Sequence, residues 1–195
     1  LRADLDKVAE RLLRAKELHE DVVIFGDYDA DGVCATAILW EALFSLGIRA
    51  RPFIPDRFNH GYGLTVTAIG AVIQPTKPDL IITVDNGIVA YEALEEARRL
   101  GIATIVTDHH QADAREVPAD LVLHSTKLSG SGVAWMLAYH LAPELALQSL
   151  ELAGLATIAD QVPLVGANRS VAYHGLEALR KTKRLGCPEY FLWPV

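Results

Sequence analysis

The stretch Val22–Gly32, VVIFGDYDADG, decides how the rest of the chain is interpreted. Its first four residues are β-branched or aromatic and predict a buried strand. Gly26 ends that strand, and carboxylates follow on alternate positions at Asp27, Asp29 and Asp31. An apolar segment with helical spacing, VCATAILWEALFSLG, comes next. Strand, acidic turn and helix in this order are how an open α/β sheet presents ligands at the carboxyl end of a strand.

The acidic turn predicts a divalent cation site. Carboxylates this close together repel one another unless cations neutralise them, and oxygen ligands suit hard cations. A solvated acidic loop is the alternative reading of the same residues. An EF-hand calcium loop is disfavoured, because no glutamate stands at the position that supplies the bidentate ligand.

The composition indicates one compact domain preceded by a helix. Of the 195 residues, 51% are hydrophobic and 22% are charged, which is enough apolar material for a sizeable core. We expect residues 1–20 to form the leading helix. The net charge of -7 argues against a protein that coats nucleic acid by bulk charge. It does not exclude a nucleic-acid enzyme, because a cluster of metal-binding aspartates lowers the net charge.

The two cysteines, Cys34 and Cys187, lack the close spacing of a zinc site and indicate a reducing compartment. No apolar run approaches the length of a membrane span, and no signal peptide is visible. These features predict a cytoplasmic protein without a membrane partner. The chain begins with Leu1 rather than methionine, so we expect sequence beyond either end to bear on function.

Strand-like and helix-like segments alternate along the chain. Strands are expected at 22–25, 48–54, 79–84, 102–107 and 120–123. Helices are expected at 33–46, 65–73 and 89–100, and later through 141, at 143–159 and at 170–184. This alternation predicts an α/β fold with an open parallel five-stranded sheet of order 2-1-3-4-5, helices on both faces and additional C-terminal helices. Pro52 places the second strand at an edge of the sheet.

Metal-binding residue types follow three strands that this order makes neighbours. They are the acidic turn, then Asp85, then Asp108 with His109 and His110. Carboxylates and imidazoles without thiolates suit Mn²⁺ or Mg²⁺, with Zn²⁺ or Co²⁺ as substitutes. This many carboxylates suit two ions about 3.5–4 Å apart, which activate water and stabilise an in-line phosphoryl displacement. Asp85, alone at a central strand end, is the expected bridge between them.

Four motifs carry a family resemblance: GDYDADG at 26–32, TVDNG at 83–87, TDHH at 107–110 and TIADQVPL at 157–164. In this order they resemble the DHH phosphoesterase superfamily, and most of all its RecJ branch of single-strand-specific 5′→3′ exonucleases. The resemblance extends from about Asp21 to Arg184. It identifies Asp29 and Asp31 as first-motif metal ligands, and Asp27 stands where phosphatase-type relatives carry a histidine.

The same resemblance makes Asp85 the bridging ligand and His109 a metal ligand. His110 is expected near the scissile phosphate as an electrostatic or acid–base group, so we predict His110 and Asp85 as the catalytic pair. Asp160 corresponds to the fourth-motif ligand, although the residues alone leave it open between a helix end and a ligand. Arg57, in the polar loop FIPDRFNHGYGL, suits either a surface loop or a phosphate contact. The resemblance favours the phosphate contact, so Arg57 and His110 are predicted to bind substrate.

The resemblance implies a two-metal phosphodiesterase that hydrolyses single-stranded DNA from the 5′ end to mononucleotides in repair and recombination. Its partners would be single-stranded nucleic acid and repair or replication proteins. One alternative is a DHH phosphodiesterase for oligoribonucleotides or cyclic dinucleotides, and another is an inactive DHH scaffold that binds a replication or repair protein. Residues 21–195 would form the catalytic domain, with a second, substrate-binding domain absent. Between DHH and the SGSG turn, the Asn-Pro element and longer insertion usual in RecJ relatives are also missing, and that turn reads as a plain turn rather than a phosphate site.

Overall fold

The computed structural model describes residues 2–184, and a parallel sheet lies at its centre. Within that range the sheet has five strands in the order β2-β1-β3-β4-β5, and every pair is parallel. The strands are β1 (Val22–Phe25), β2 (Ala50–Phe53), β3 (Leu80–Val84), β4 (Ala103–Asp108) and β5 (Leu121–His124). The predicted strand order is confirmed, and β2 with its Pro52 is an edge strand.

Nine helices surround the sheet in the described range. They are α1 (Arg2–Glu17), α2 (Ala30–Ser45), α3 (Arg57–His60), α4 (Val66–Ile73), α5 (Tyr91–Arg99), α6 (Gly130–Leu141), α7 (Pro143–Gln148), α8 (Leu150–Ala159) and α9 (Gly166–Leu179). The leading helix predicted for residues 1–20 is therefore observed as α1. None of these helices is long and apolar enough to cross a membrane.

The alternation of side chains along the strands creates two cores. Ile24 and Ile82 face one side of the sheet, where they pack with α1, α2 and α6. Val23 and Ile81 face the other side, where they pack with α4 and α5. A third apolar cluster joins α2 and α6 to α7, α8 and α9. The central strands β1 and β3 are buried on both faces, as parallel strands covered by helices are.

Three helix boundaries differ from the prediction. Helix α2 begins at Ala30 rather than at 33, because Asp29 caps it and brings Asp31 into its first turn. The predicted helix 143–159 is interrupted at Ser149, whose hydroxyl bonds to Glu41. The predicted helix 170–184 lies earlier, at α9.

The shift of α9 has a local cause at each end. At its start, Nδ2 of Asn168 donates to the carbonyl oxygen of Pro163 at 3.1 Å. Beyond its end, Thr182 and Arg184 bond to Glu151 of α8, which draws the chain away from the helix axis. Cys187, and the part of the predicted catalytic domain after residue 184, lie outside the described residues.

Candidate metal centre

Asp31 contributes the first carboxylate of the centre. Asp29 caps α2 by accepting a 2.9 Å hydrogen bond from the backbone N–H of Gly32, so the acidic turn is the start of a helix. Asp31 is 1% exposed and accepts hydrogen bonds from the backbone N–H groups of Gly130, at 2.7 Å, and Ser131, at 2.9 Å. These groups lie in the first turn of α6, where the helix dipole favours negative charge. The SGSG turn thus holds a carboxylate of the chain itself.

Asp85 follows β3 and is almost completely buried. Its φ angle of 63° lies in the left-handed region, which Asp and Asn tolerate better than most residues. Backbone strain of this kind clusters at functional sites. Gly130 packs directly on the Asp85 carboxylate, since a Cβ at that glycine would lie 2.1 Å from Oδ1 of Asp85. No side chain larger than hydrogen fits there without displacing Asp85.

Asp108, at the end of β4, organises the two histidines that follow it. Its carboxylate accepts hydrogen bonds from the backbone N–H groups of Ile88 at 2.9 Å, His109 at 2.6 Å and His110 at 3.0 Å. Nδ1 of His110 also lies 2.8 Å from Oδ1 of Asp108. On the other side, Nε2 of His124 lies 2.6 Å from the carbonyl oxygen of His110. These contacts fix the backbone of Asp108, His109 and His110 at the carboxyl end of β4.

Asp160 is both a helix end and a member of the cluster. It is the C-cap of α8, and Gln161 follows it with a φ angle of 60°. Its Oδ2 atom lies 3.7 Å from Nε2 of His109. Asp160 is therefore a helix end, as one of the two alternatives expected, and its role as a metal ligand stays a prediction.

The ring nitrogen Nε2 of His109 lies among three carboxylates. It is 3.1 Å from Oδ1 of Asp85, 3.8 Å from Oδ2 of Asp31 and 3.7 Å from Oδ2 of Asp160. The contact with Asp85 lacks hydrogen-bond geometry. Three of these buried atoms, Asp85 Oδ1, His109 Nε2 and Asp160 Oδ2, have no hydrogen-bond partner among residues 2–184.

Unpartnered buried polar atoms that face one another are costly unless a cation or water joins them. Two overlapping sets of ligand atoms, each within 4.8 Å, are present: one from Asp31, His109 and Asp160, and one from Asp85, His109 and His110. Oxygen and imidazole donors of this kind fit Mn²⁺ or Mg²⁺. The donors in these two sets therefore fit divalent metal at this position.

The ionisation of the cluster reflects its crowded charge. Burial, together with the nearby Asp31, raises the pKa of Asp85 to about 7 against a lowering contribution from His109. Burial also raises the pKa of Asp160, with Asp31 adding to the effect. Hydrogen bonding to Asp108 is the main reason that the pKa of His110 rises to about 9. Without a cation, the cluster is electrostatically unfavourable in its fully ionised form.

Asp27 and Asp29 lie beside this cluster rather than within it. Neither belongs to a set of potential metal ligands in the described part of the chain. Asp27 is 2% exposed, and its carboxylate accepts a 2.7 Å hydrogen bond from the backbone N–H of Tyr28. Burial raises its pKa, and the charges that act on it include Asp29, His110 and Asp108. Their roles as ligands stay predictions.

Arg57 begins the short helix α3 and is exposed at the mouth of the crevice. Its guanidinium lies 5.5 Å from the ring centroid of Tyr28, which directly follows Asp27. Tyr62 makes an edge contact with the same ring at a centroid distance of 6.1 Å. Burial, together with the charges of Asp27, Asp29 and Asp85, raises the pKa of Tyr62.

Sequence reasoning missed Gly130, Ser131 and the orienting role of Asp108. The SGSG turn was considered as a phosphate site and interpreted as a plain turn, and its actual partner, the carboxylate of Asp31, is far away in the chain. Asp108 was grouped with the two histidines, but its bonds to them appear only in the folded structure. The one available signal in the sequence was that the predicted strand 102–107 ends directly before Asp108.

The comparisons with known proteins agree with this geometry. The family model described as "DHH family, N-terminal domain" matches residues 21–159. The single-stranded-DNA-specific exonuclease RecJ of Bacillus subtilis is 40% identical over 194 residues, which cover 95% of this chain and 25% of that protein. The chain thus spans about a quarter of that relative's length.

Solved structures of RecJ are also similar to this chain. A structure of exonuclease RecJ bound to manganese superposes with a TM-score of 0.84 at 36% identity, covering 94% of this chain and 50% of that one. RecJ of Thermus thermophilus in complex with Mn²⁺ gives a TM-score of 0.81 at 33% identity, covering 94% and 28%. The same protein with Mg²⁺ gives 0.65 at 31% identity, covering 94% and 24%.

Proposed function

The chain belongs to the DHH family, and from this we propose that it is the catalytic domain of a metal-dependent phosphodiesterase. Its substrate would be single-stranded DNA, degraded from the 5′ end to 5′-mononucleotides in repair and recombination. The observation that carries this proposal is the cluster of unpartnered buried atoms from Asp85 and His109, which follow the neighbouring strands β3 and β4, and from Asp160 at the end of α8. The single-stranded-DNA-specific RecJ relatives support the choice of substrate.

Asp31, Asp85, His109 and Asp160 would hold the metal, and His109 is the residue common to the two ligand sets. The bridging role of Asp85 stays a prediction. Bound divalent cations would lower the pKa of a water molecule and stabilise negative charge on the phosphate oxygens. The chain's own contribution is rigid placement, because Gly130 and Ser131 orient Asp31 and a strained backbone presents Asp85. Ligands held in this way need little reorganisation during the reaction.

His110 would interact with the phosphate rather than serve only to stabilise the fold. Its Nδ1 atom is engaged by Asp108, and its side chain is 45% exposed beside the buried cluster. In the metal-free protein, the hydrogen bond to Asp108 raises the pKa of His110 to about 9, which favours the charged imidazole at neutral pH. A charged imidazole in this place suits a developing negative charge at phosphorus or a leaving oxygen.

Arg57 and Tyr28 would bind the strand as it enters the crevice. Arginine and aromatic side chains together provide phosphate contacts and stacking surfaces for single strands. The net charge of -7 supplies no general attraction for a polyanion, so we expect this chain alone to bind and cleave DNA weakly. A cytoplasmic location and repair or replication partners stay predictions from the sequence.

The test is cleavage of a 5′-labelled single-stranded oligonucleotide in Mn²⁺. We expect labelled mononucleotide as the first product, an intact duplex control and no product in chelator. Asp85→Asn should abolish cleavage, whereas Asp6→Asn, an exposed carboxylate on α1, should retain it. Much faster hydrolysis of a cyclic dinucleotide or short oligoribonucleotide than of the DNA would instead indicate a small substrate. Absence of any phosphodiester hydrolysis, with Mn²⁺ bound, would instead indicate a scaffold.

A further inference from the structure

A small cavity of about 210 Å³ adjoins the metal-ligand cluster at His110. One wall comes from the loop that precedes α4 and includes Tyr62 and Leu64, and another comes from Ile88 and Val89 before α5. Asn86, Asp108 and His110 also line it. The walls are thus mostly apolar, with polar groups at few positions. Pockets that bury a drug-sized ligand measure roughly 300–1,000 Å³, so this one suits a smaller group.

The shape of the wall depends on Gly87. Its φ angle is 108°, and a Cβ at this position would lie 2.8 Å from Oγ1 of Thr83. The chain can therefore turn here only with glycine, and this turn brings Ile88 and Val89 to the cavity. Ile88 is held in addition by the hydrogen bond from its backbone N–H to Asp108. The cavity wall and the histidine loop are consequently fixed to each other.

Asn86 supplies a buried hydrogen-bond acceptor beside this cavity. Its Nδ2 atom donates to the carbonyl oxygens of Val84, at 2.9 Å, and Phe25, at 3.4 Å. These two acceptors fix the orientation of the amide. Asn86 is 6% exposed, and its Oδ1 atom finds no hydrogen-bond partner within the described range. A ligand with an N–H group would satisfy it after a small movement of the side chains that cover this atom.

We propose that this cavity binds the nucleobase of the nucleotide whose phosphate lies at the metal centre. The proposal rests on the proposed function, because that function places a phosphate beside His110. A nucleobase is flat and apolar on both faces, which matches the walls at Tyr62 and Ile88. Each of the four DNA bases carries an N–H donor on its pairing edge, so Asn86 can accept from any of them. The site therefore selects an unpaired base without selecting its identity.

Binding of the base in this cavity adds a requirement to the reaction. A base that is paired in a duplex has its N–H edge engaged and cannot enter the cavity until it is unpaired. The preference for single strands would then arise partly at this pocket and not only from the width of the crevice. A sugar phosphate without a base would bind only through its phosphate.

The direct test is binding of two small ligands to the Mn²⁺-loaded protein by calorimetry. Deoxyadenosine 5′-monophosphate should bind at least about tenfold more tightly than 2-deoxyribose 5-phosphate, since stacking of a base on aromatic side chains is worth about that much or more. Thymidine 5′-monophosphate should bind like the adenine nucleotide. Equal affinities for the nucleotide and the base-free sugar phosphate would overturn the proposal.

Two variants make the test specific to the cavity. Val89 is 52% exposed at the rim, so Val89→Trp should fill the cavity without unfolding the protein and remove the preference for the nucleotide. Ala90→Leu, at a second lining position, should have the same effect. Val165→Trp, at an exposed valine outside the cavity, should keep the preference. Retention of the preference by both cavity variants would contradict the proposal.

These measurements separate the inference from the proposed function. Cleavage of DNA by a protein that shows no base preference would leave the phosphodiesterase proposal standing and refute the pocket. A base preference that Val89→Trp removes, in a protein that cleaves no phosphodiester, would support a nucleotide-binding pocket and refute the enzyme.

Discussion

The carboxylate of Asp31 accepts a 2.7 Å hydrogen bond from the backbone N–H of Gly130, which lies 99 residues later in the chain. This bond joins the acidic turn after β1 to the start of α6. Because both ends of the bond are buried, it forms only when the sheet and α6 are packed together. The metal centre is therefore a product of the whole fold, and its binding of cations should be linked to folding.

Gly130→Ala should damage the centre without removing any of its side chains. The new methyl group would lie 2.1 Å from Oδ1 of Asp85, so the carboxylate or the helix must move. We expect a loss of about 1–3 kcal/mol in the free energy of unfolding and weaker Mn²⁺ binding. Gly70→Ala in α4, with no atom within 4 Å of the new Cβ, is the matched control and should be neutral or stabilising. Urea unfolding with and without Mn²⁺ measures both effects, and equal behaviour of the two variants would refute this packing.

Asp85→Asn should make the metal-free protein more stable at neutral pH. Burial raises the pKa of Asp85 to about 7, so ionisation of this carboxyl group opposes folding. The stability of the wild type in chelator should fall as the pH rises from about 4 to 7, because the folded state binds the proton more tightly.

Asparagine at position 85 does not ionise, so it removes the pH dependence of stability that comes from Asp85, and it tolerates the positive φ angle. We therefore expect the free energy of unfolding to increase by about 1–3 kcal/mol at pH 7. Urea unfolding of both proteins in chelator across this pH range measures it. An Asp85→Asn variant that is less stable than the wild type at pH 7 in chelator would contradict the raised pKa of Asp85.

The sequence predicted the fold well because its decisive signals are local. The strands β1, β3 and β4 are short apolar runs that lead into Gly26, Asp85 and Asp108, and Pro52 marks an edge strand. The same locality explains why Asp85 and His109 were expected at the site, since each directly follows a strand. The convergence of their side chains on one point required only the strand order, which the alternation of strands and helices implied.

The errors arose where a distant partner overrides the local pattern. Nothing near Ser149 predicts a break between α7 and α8, because its hydroxyl bonds to Glu41 on another helix. The early end of α9 has a similar cause, because Thr182 and Arg184 bond to Glu151 on α8. The role of Gly130 could not be read from the sequence for the same reason.

Arg57→Ala should weaken DNA binding and leave the metal centre unchanged. The guanidinium lies over Tyr28 at the crevice mouth and contacts none of the carboxylates that surround His109 through any described bond. If Arg57 contacts one phosphate, its loss should reduce the slope of log affinity against log salt by about 0.7 for a single strand. Arg180→Ala, an exposed arginine on the C-terminal side of α9, is the control. Identical slopes for both variants in a salt titration would exclude the phosphate contact.

Glu41→Gln should cost stability at neutral pH and little in acid. Burial alone would raise the pKa of Glu41, but hydrogen bonds from Arg184 and Ser149 lower it. The stabilisation is therefore complete above the ordinary glutamate pKa of about 4.3 and is lost as the pH falls through the lowered value. We expect a difference from wild type of about 1–3 kcal/mol at pH 7 that shrinks toward pH 3.

Urea unfolding at several pH values measures this difference. Glu177→Gln, whose partner Arg180 is exposed, should change stability little at any pH. A Glu41→Gln effect that is the same at pH 7 and pH 3 would contradict the role of this ion pair.

The central claim is that Asp31, Asp85, His109 and Asp160 form a divalent metal site, and thermal unfolding in Mn²⁺ tests it most directly. At a Mn²⁺ concentration of about 100 times the dissociation constant, binding should add about 2.7 kcal/mol. For a domain of this size that corresponds to a rise in Tm of about 5–10 °C. Asp85→Asn should lose most of the rise, and Asp6→Asn should keep it. A wild-type protein that melts at the same temperature in millimolar Mn²⁺ and in chelator would contradict the account.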